Sequence, residues 1–173
     1  ILPACSINRP PDPQSMTASE RAKAITEYRK KAIDAIERYE RAQERDDLAA
    51  IEHLDEAVEH ERFTTKISPT GCPSCYREYG KVLSIRGHHY RAAFEEVERE
   101  LETAITRSEK DELQEEGQYY WERMLKDFSA SNEAYRAYFA NPEVPIIDPR
   151  EVERVMRHHE YVGQYEEALF YLN

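Results

Sequence analysis

The sequence has little glycine, little cysteine and no long apolar run. Only five of its 173 residues are glycine, while 34% are charged. Such a composition favours long uninterrupted helices over strands joined by tight turns. No apolar run approaches the roughly 20 residues that a membrane-spanning helix requires. We therefore predict an all-α chain without membrane insertion, and its length fits one domain.

Basic residues and catalytic motifs are also scarce. The chain has 24 Lys and Arg against 35 Asp and Glu, a net charge of −11. This charge repels a phosphate backbone, so no nucleic-acid partner is expected. The glycine-rich phosphate-binding motifs, the G-x-S-x-G motif and the H-E-x-x-H motif are absent. We accordingly predict no enzyme, no cofactor and no small-molecule substrate.

The apolar pattern divides the chain into an arm and a helical domain. Residues 1–15 contain four prolines and no helical period, which predicts an extended proline-rich arm. Residues 16–173 then form a single helical-repeat domain. Its first helix should start at Thr17, because Glu20 stands three residues later and the two side chains can cap each other's backbone.

Apolar stripes at three- and four-residue steps predict a series of helix hairpins. The first hairpin pairs a stripe that includes Ile33 with a stripe that includes Leu54 and Val58, and it breaks at residues 45–47. Further breaks are predicted at Gly87, Gly117 and Gly163, each of which should end one helix and open the next.

Four stretches near these breaks share a pattern of a turn residue followed by aromatic or apolar residues. They are RDDLAAIEHL, GHHYRAAFEEV, GQYYWERML and GQYEEALFYL, and their spacing is irregular. The last is similar to the second helix of a tetratricopeptide or pentatricopeptide repeat. We predict antiparallel hairpins stacked as a short, irregular α-solenoid of this type, with a closed helix bundle as the alternative.

The pair Cys72 and Cys75 is the strongest local motif. Its spacing suits zinc, with His88 or His89 as a further ligand, but a fourth ligand is missing. A functional disulfide is a third interpretation, although no thioredoxin-like sheet is predicted around it. We favour free thiols at a helix start, because Pro73 suits a first helical turn. The odd cysteine count, completed by Cys5, favours a reducing intracellular compartment.

Two weaker features remain. Glu56 and His60 stand four residues apart, which is typical of a solvated contact on a helix surface rather than a metal site. The clusters YYW and YRAYF, in a chain with twelve tyrosines, fit a partner-facing surface as well as plain core packing. No catalytic, cofactor-binding or metal-binding residue is assigned.

The repeat-like pattern and GQYEEALFYL make residues 17–173 resemble the eighteen-kilodalton accessory subunit of euglenozoan mitochondrial ATP synthase. Proteins of that family are small and pentatricopeptide-like, and they lie on the outside of the catalytic head against its alpha subunit. The small helical-repeat subunit of cytochrome oxidase looks similar. The resemblance implies a noncatalytic scaffold subunit that binds proteins in the mitochondrial matrix. Separately, because the sequence opens with Ile1 rather than Met, we expect a processed or truncated start. The rival hypothesis is a small zinc-binding helical protein that uses Cys72 and Cys75.

Overall fold

The computed structural model describes residues 12–45, 49–68, 72–144 and 147–163. The described residues contain no strand, which confirms the all-α prediction. The helices pack mainly as sequential neighbours, with the most extensive contact between the third and the fourth. The elements are a short 3-10 helix at Pro13–Ser15, α1 at Ala18–Gln43, α2 at Ala50–Ile67, α3 at Pro73–Thr103, α4 at Arg107–Phe139 and α5 at Pro149–Tyr161.

Local capping signals start the helices. Thr17 caps α1 and forms the predicted capping box with Glu20. Thr106 and Glu109 form a second capping box at the start of α4. In both pairs the side chains satisfy backbone N–H groups that a helix start leaves without partners. The turn between α3 and α4 is short, because α3 ends at Thr103 and α4 begins at Arg107. The two helices run antiparallel.

Gly87 and Gly117 do not break helices, so the predicted hairpin boundaries at these residues are wrong. Both lie inside continuous helices, α3 and α4. A Cβ atom at Gly87 would stand 2.7 Å from the Phe128 ring, and one at Gly117 would stand 3.3 Å from Val97. The glycines thus let α3 and α4 approach each other closely. A residue without a side chain suits such a close contact as well as it suits a helix end.

The α3–α4 contact follows a seven-residue register. Gly80 faces Tyr135 and Gly87 faces Phe128, so a glycine meets an aromatic ring at each step. Phe94 and Trp121 occupy the next step, with ring centroids 5.2 Å apart. A spacing of seven residues returns to the same face after about two turns, as in a helical coiled coil. Gly87, which was predicted to be a helix break, therefore belongs to one continuous interface between α3 and α4.

The core lies where α1 and α2 pack against α3. Ala57 and Val58 of α2 join Ala35 of α1 and Leu83 of α3 in one buried cluster. Leu54 and Val58 are buried as predicted. Ile33, which was predicted to be buried, is instead 55% exposed on the outer side of α1. Most buried positions of α1 hold small side chains: the buried residues are Ala24, Ala32, Ala35, Tyr39 and Ala42.

Parts of the repeat prediction lie outside the described residues, among them nearly all of GQYEEALFYL and residues 1–11. Of the other stretches, RDDLAAIEHL extends across the start of α2 at Ala50. GHHYRAAFEEV and GQYYWERML instead lie within α3 and α4. The choice between a solenoid and a closed bundle stays a prediction. None of the described helices is both long enough and apolar enough to cross a bilayer.

Candidate functional site

The two cysteines of CPSC form a disulfide at the start of α3. Cys72 is the residue that precedes the helix and Cys75 lies in its first turn, where its backbone N–H donates to the Cys72 carbonyl. This turn holds the two Cα atoms 5.3 Å apart, within the range that a disulfide spans. The favoured interpretation as free thiols is therefore wrong, because it overlooked how one helical turn brings the two sulfurs together.

The proposed zinc ligands do not come together. His88 and His89 lie on the same helix as Cys75, about 20 Å farther along at 1.5 Å per residue. His89 Nδ1 lies 3.2 Å from the Tyr39 hydroxyl, and His88 packs edge-on against the Phe128 ring. Across the described ranges no group of three or more His, Cys, Asp or Glu could hold a metal ion. Disulfide sulfurs, in addition, are not the thiolates that ligate zinc.

Arg29 of α1 approaches the disulfide, and Glu61 of α2 interacts electrostatically with Arg29. Arg29 of α1 places its Nη2 atom 3.9 Å from Cys72 Sγ and 3.0 Å from Ser74 Oγ. Glu61 of α2 is buried and accepts a hydrogen bond from the Thr64 hydroxyl. Burial raises the pKa of Glu61 to about 7, against the opposing influence of the Arg29 charge. A cation therefore lies beside Cys72, and a carboxyl with a raised pKa acts on that cation.

The sulfurs differ in exposure. Cys75 is completely buried, whereas Cys72 is partly exposed. Cys72 also stands at the amino end of a 31-residue helix, where the aligned peptide dipoles favour negative charge. The C-x-x-C spacing was visible in the sequence, but Arg29 and Glu61 were not, because nothing local to either residue links it to the cysteines.

A buried serine and histidine meet between α3 and α5, and sequence analysis missed this contact as well. Ser84 Oγ lies 2.9 Å from His158 Nε2. Burial, aided by the neighbouring cationic groups, lowers the pKa of His158 to about 3. His158 Nδ1 has no hydrogen-bond partner, so no carboxylate orients the ring. A histidine that weakly basic cannot activate a serine hydroxyl near neutral pH, so the pair has the chemistry of a packing contact.

Glu56 and His60 form the surface contact that their spacing predicts. His60 Nε2 lies 3.3 Å from Glu56 Oε1, and Arg38 of α1 donates to the other carboxylate oxygen at 2.7 Å. Partial burial opposes the ionisation of Glu56, but these two hydrogen bonds outweigh it and lower the pKa. The group links α1 to α2 at a partly solvated site.

The turn between α3 and α4 carries a second candidate site. A pocket of about 430 Å³ lies here. Ile105 in this pocket is 90% exposed, and no residue from 98 to 116 is buried. Eight carboxylates and three basic residues occur in this stretch. The pocket is lined by Glu100, Thr103, Ala104, Ile105, Glu109, Glu112, Leu113 and Glu116.

The aromatic clusters divide between surface and core. In YYW, Tyr119 and Trp121 are exposed, and Trp121 packs on Phe94 below the acidic turn. In YRAYF, Tyr135 is fully buried and its hydroxyl accepts a hydrogen bond from Arg154. Core packing therefore applies to Tyr135, whereas a partner for the exposed residues of YYW stays a prediction.

Comparisons with known proteins add no assignment to this geometry. The chain matches no protein-family model, no curated protein and no solved structure. Inferences about function therefore depend on the residues themselves.

Proposed function

We propose that the chain is a noncatalytic accessory subunit that binds another protein through the turn between α3 and α4. The observation that carries the proposal is Ile105, a large apolar side chain that is 90% exposed inside an acidic pocket. Leaving such a side chain in water forgoes about 1.5 to 3 kcal/mol that burial in a complex would return.

The shape of the molecule leaves this turn open. Among the described residues, the polar contacts from α3 to α1, α2 and α5 lie between Cys72 and Arg91. Beyond Arg91 the described structure is a pair of helices, α3 and α4, packed on each other. Nothing in the described core depends on residues 98–116, so this stretch is available for an interface.

The charge of the turn indicates the kind of partner. The lining of the pocket includes the carboxylates of Glu100, Glu112 and Glu116 together with the apolar residues Ala104 and Leu113. A basic protein segment that carries one apolar side chain would match both features. Electrostatic complementarity of this kind mainly raises the association rate and the specificity, while the buried apolar anchor supplies affinity.

The resemblance to the ATP synthase accessory subunit supplies the more specific proposal. In that case the partner is the alpha subunit of the catalytic head, and the protein is mitochondrial. The same experiment tests both levels, because it identifies the partner before it measures the contact.

Lys110 makes the experiment direct, since it is the only lysine between residues 98 and 116. Crosslinking in native extract with an amine-reactive reagent should join Lys110 to a basic segment of one protein. With that protein purified, Ile105→Ala should weaken binding about 10- to 100-fold, which corresponds to the loss of a buried anchor.

The matched control is Ile33→Ala, which removes an exposed isoleucine from α1. It should change the dissociation constant by no more than about twofold. Equal effects of the two substitutions, or a chain that elutes from native extract as a free monomer, would refute the proposal.

A further inference from the structure

We propose that the Cys72–Cys75 disulfide is a thiol–disulfide exchange site that accepts electrons from a dithiol, with Cys72 as the sulfur that is attacked. The proposal concerns the start of α3 and is independent of the protein-binding turn at the other end of that helix. It depends on the unequal exposure of the two cysteines and on the cation that α1 places beside Cys72.

Exchange requires one sulfur that a thiolate can reach and one that can leave. Cys72 is partly exposed at the helix start, while Cys75 is fully buried in the first turn. An incoming thiolate can therefore reach Cys72 Sγ but not Cys75 Sγ. A helical surrounding is sufficient for this geometry, because the reaction needs an accessible sulfur bonded to a second sulfur that takes the electron pair, rather than a particular sheet.

The reaction balances as a two-electron transfer. A thiolate of the dithiol attacks Cys72 Sγ, the bond between Cys72 and Cys75 breaks, and the electron pair goes to Cys75 Sγ, which takes a proton. The second thiol of the dithiol then attacks its own sulfur in the mixed disulfide and releases Cys72 as a thiolate. The dithiol ends as a disulfide and its two electrons are on Cys72 and Cys75; Cys75 holds one proton, and the other goes to solvent while Cys72 stays a thiolate.

Arg29 acts on the released sulfur as a positioning residue. Its Nη2 atom lies 3.9 Å from Cys72 Sγ and is held there by a hydrogen bond to Ser74 Oγ. A cation at this distance and the amino end of a long helix both stabilise a thiolate. Neither Ser74 nor the helix end carries a titrating charge, so Arg29 is the main cation at the sulfur.

Two carboxylates also act on this site. Glu61 from α2 interacts electrostatically with Arg29, and Glu78, one turn beyond Cys75, interacts with Glu61. As Glu61 ionises, it offsets part of the Arg29 charge and weakens the stabilisation of the thiolate. The reactivity of Cys72 should therefore depend on pH through Glu61 as well as through its own thiol.

The first test follows the native full-length chain in graded mixtures of reduced and oxidised dithiothreitol, with Cys5→Ser to remove the third cysteine. Circular dichroism should stay native while the disulfide is reduced and formed again. In the reduced protein, iodoacetamide should label Cys72 at least about tenfold faster than Cys75. A disulfide that is reduced only when the helices unfold, or equal labelling rates, would overturn the proposal.

The second test separates a positioning role from a merely structural one. In Cys75→Ser, the pH midpoint for alkylation of Cys72 should lie below about 7.5, against about 8.5 for an ordinary thiol. Arg29→Gln should raise this midpoint, and Arg29→Lys should restore most of it. Cys72→Ser serves as the control, since buried Cys75 should stay unreactive. A midpoint near the ordinary value that Arg29→Gln leaves unchanged would contradict the assigned role.

Discussion

Replacing Gly87 by alanine tests the close contact between α3 and α4. The new Cβ would stand 2.7 Å from the Phe128 ring, closer than real Cβ atoms come to a neighbour. The ring cannot move away easily, because Phe128 is fully buried and stacks on His158 with centroids 4.6 Å apart. Forcing extra volume into such a site costs about 1 to 3 kcal/mol.

Helix propensity opposes this cost. Alanine is favoured over glycine inside a helix by about 1 kcal/mol. The balance of the two effects is destabilising, so we expect Gly87→Ala to lower the free energy of unfolding by up to about 2 kcal/mol. For a chain of this size that loss lowers Tm by several degrees, at about 2 to 4 °C per kcal/mol. Thermal and urea unfolding followed by circular dichroism measure the change.

Gly117→Ala is the matched control. Its Cβ would stand 3.3 Å from a methyl group of Val97, a contact that a small shift relieves. Propensity should then decide, and the variant should be as stable as the wild type or more stable by up to about 1 kcal/mol. If both alanines destabilised the protein equally, a helix break at each glycine would explain the data better than close packing.

A double-mutant cycle identifies the ring as the cause. In a Phe128→Leu background the clash disappears, so Gly87→Ala should become neutral or stabilising. The coupling energy between the two positions should equal the cost of the clash, about 1 to 3 kcal/mol. Additive effects of the two substitutions would refute the reasoning, since they would show that Gly87 does not face Phe128.

Two further predictions concern buried groups. Leu54→Asp should lower the free energy of unfolding by about 3 to 5 kcal/mol, because it places an unpaired charge at a fully buried position. As a control, Ile33→Asp on the exposed side of α1 should change it by less than about 0.5 kcal/mol. For Glu61, the folded-state pKa of about 7 lies above the ordinary value of 4.5, so its contribution to stability is present below pH 4.5 and is lost as the pH rises through 7. Glu61→Gln should therefore be more stable than the wild type by up to about 3 kcal/mol above pH 8 and equal to it at pH 4. A Glu61→Gln curve parallel to the wild type at every pH would contradict the raised pKa.

Local signals in the sequence were sufficient for part of this fold. The capping box of Thr17 and Glu20 located the start of α1, and the break after α1 separated it from α2. Both depend on residues within one turn of each other, where the chain itself determines the contact. The buried positions Leu54 and Val58 followed from helical period alone, because α2 has a single core-facing side.

The features that the sequence did not predict depend on contacts between residues that are far apart in the chain. Arg29 reaches Cys72 from a helix that lies 43 residues away in the chain, and no local pattern marks it. The same holds for His158, which meets Ser84 across 74 residues. Candidate sites made by one helix turn, such as Cys72 and Cys75, were visible as motifs, whereas the groups that set their chemistry became visible only after folding.

Glycine shows why a correct observation led to a wrong boundary. A residue without a side chain is equally suited to a helix end and to a close helix crossing, so Gly87 by itself supports both. What separates them is the partner: Gly80 and Gly87 stand seven residues apart on α3, and Phe128 and Tyr135 stand seven apart on α4. A helix end requires no such matching period on a second helix. The paired spacing therefore favours a continuous interface, and the unfolding of Gly87→Ala in the two Phe128 backgrounds tests that choice.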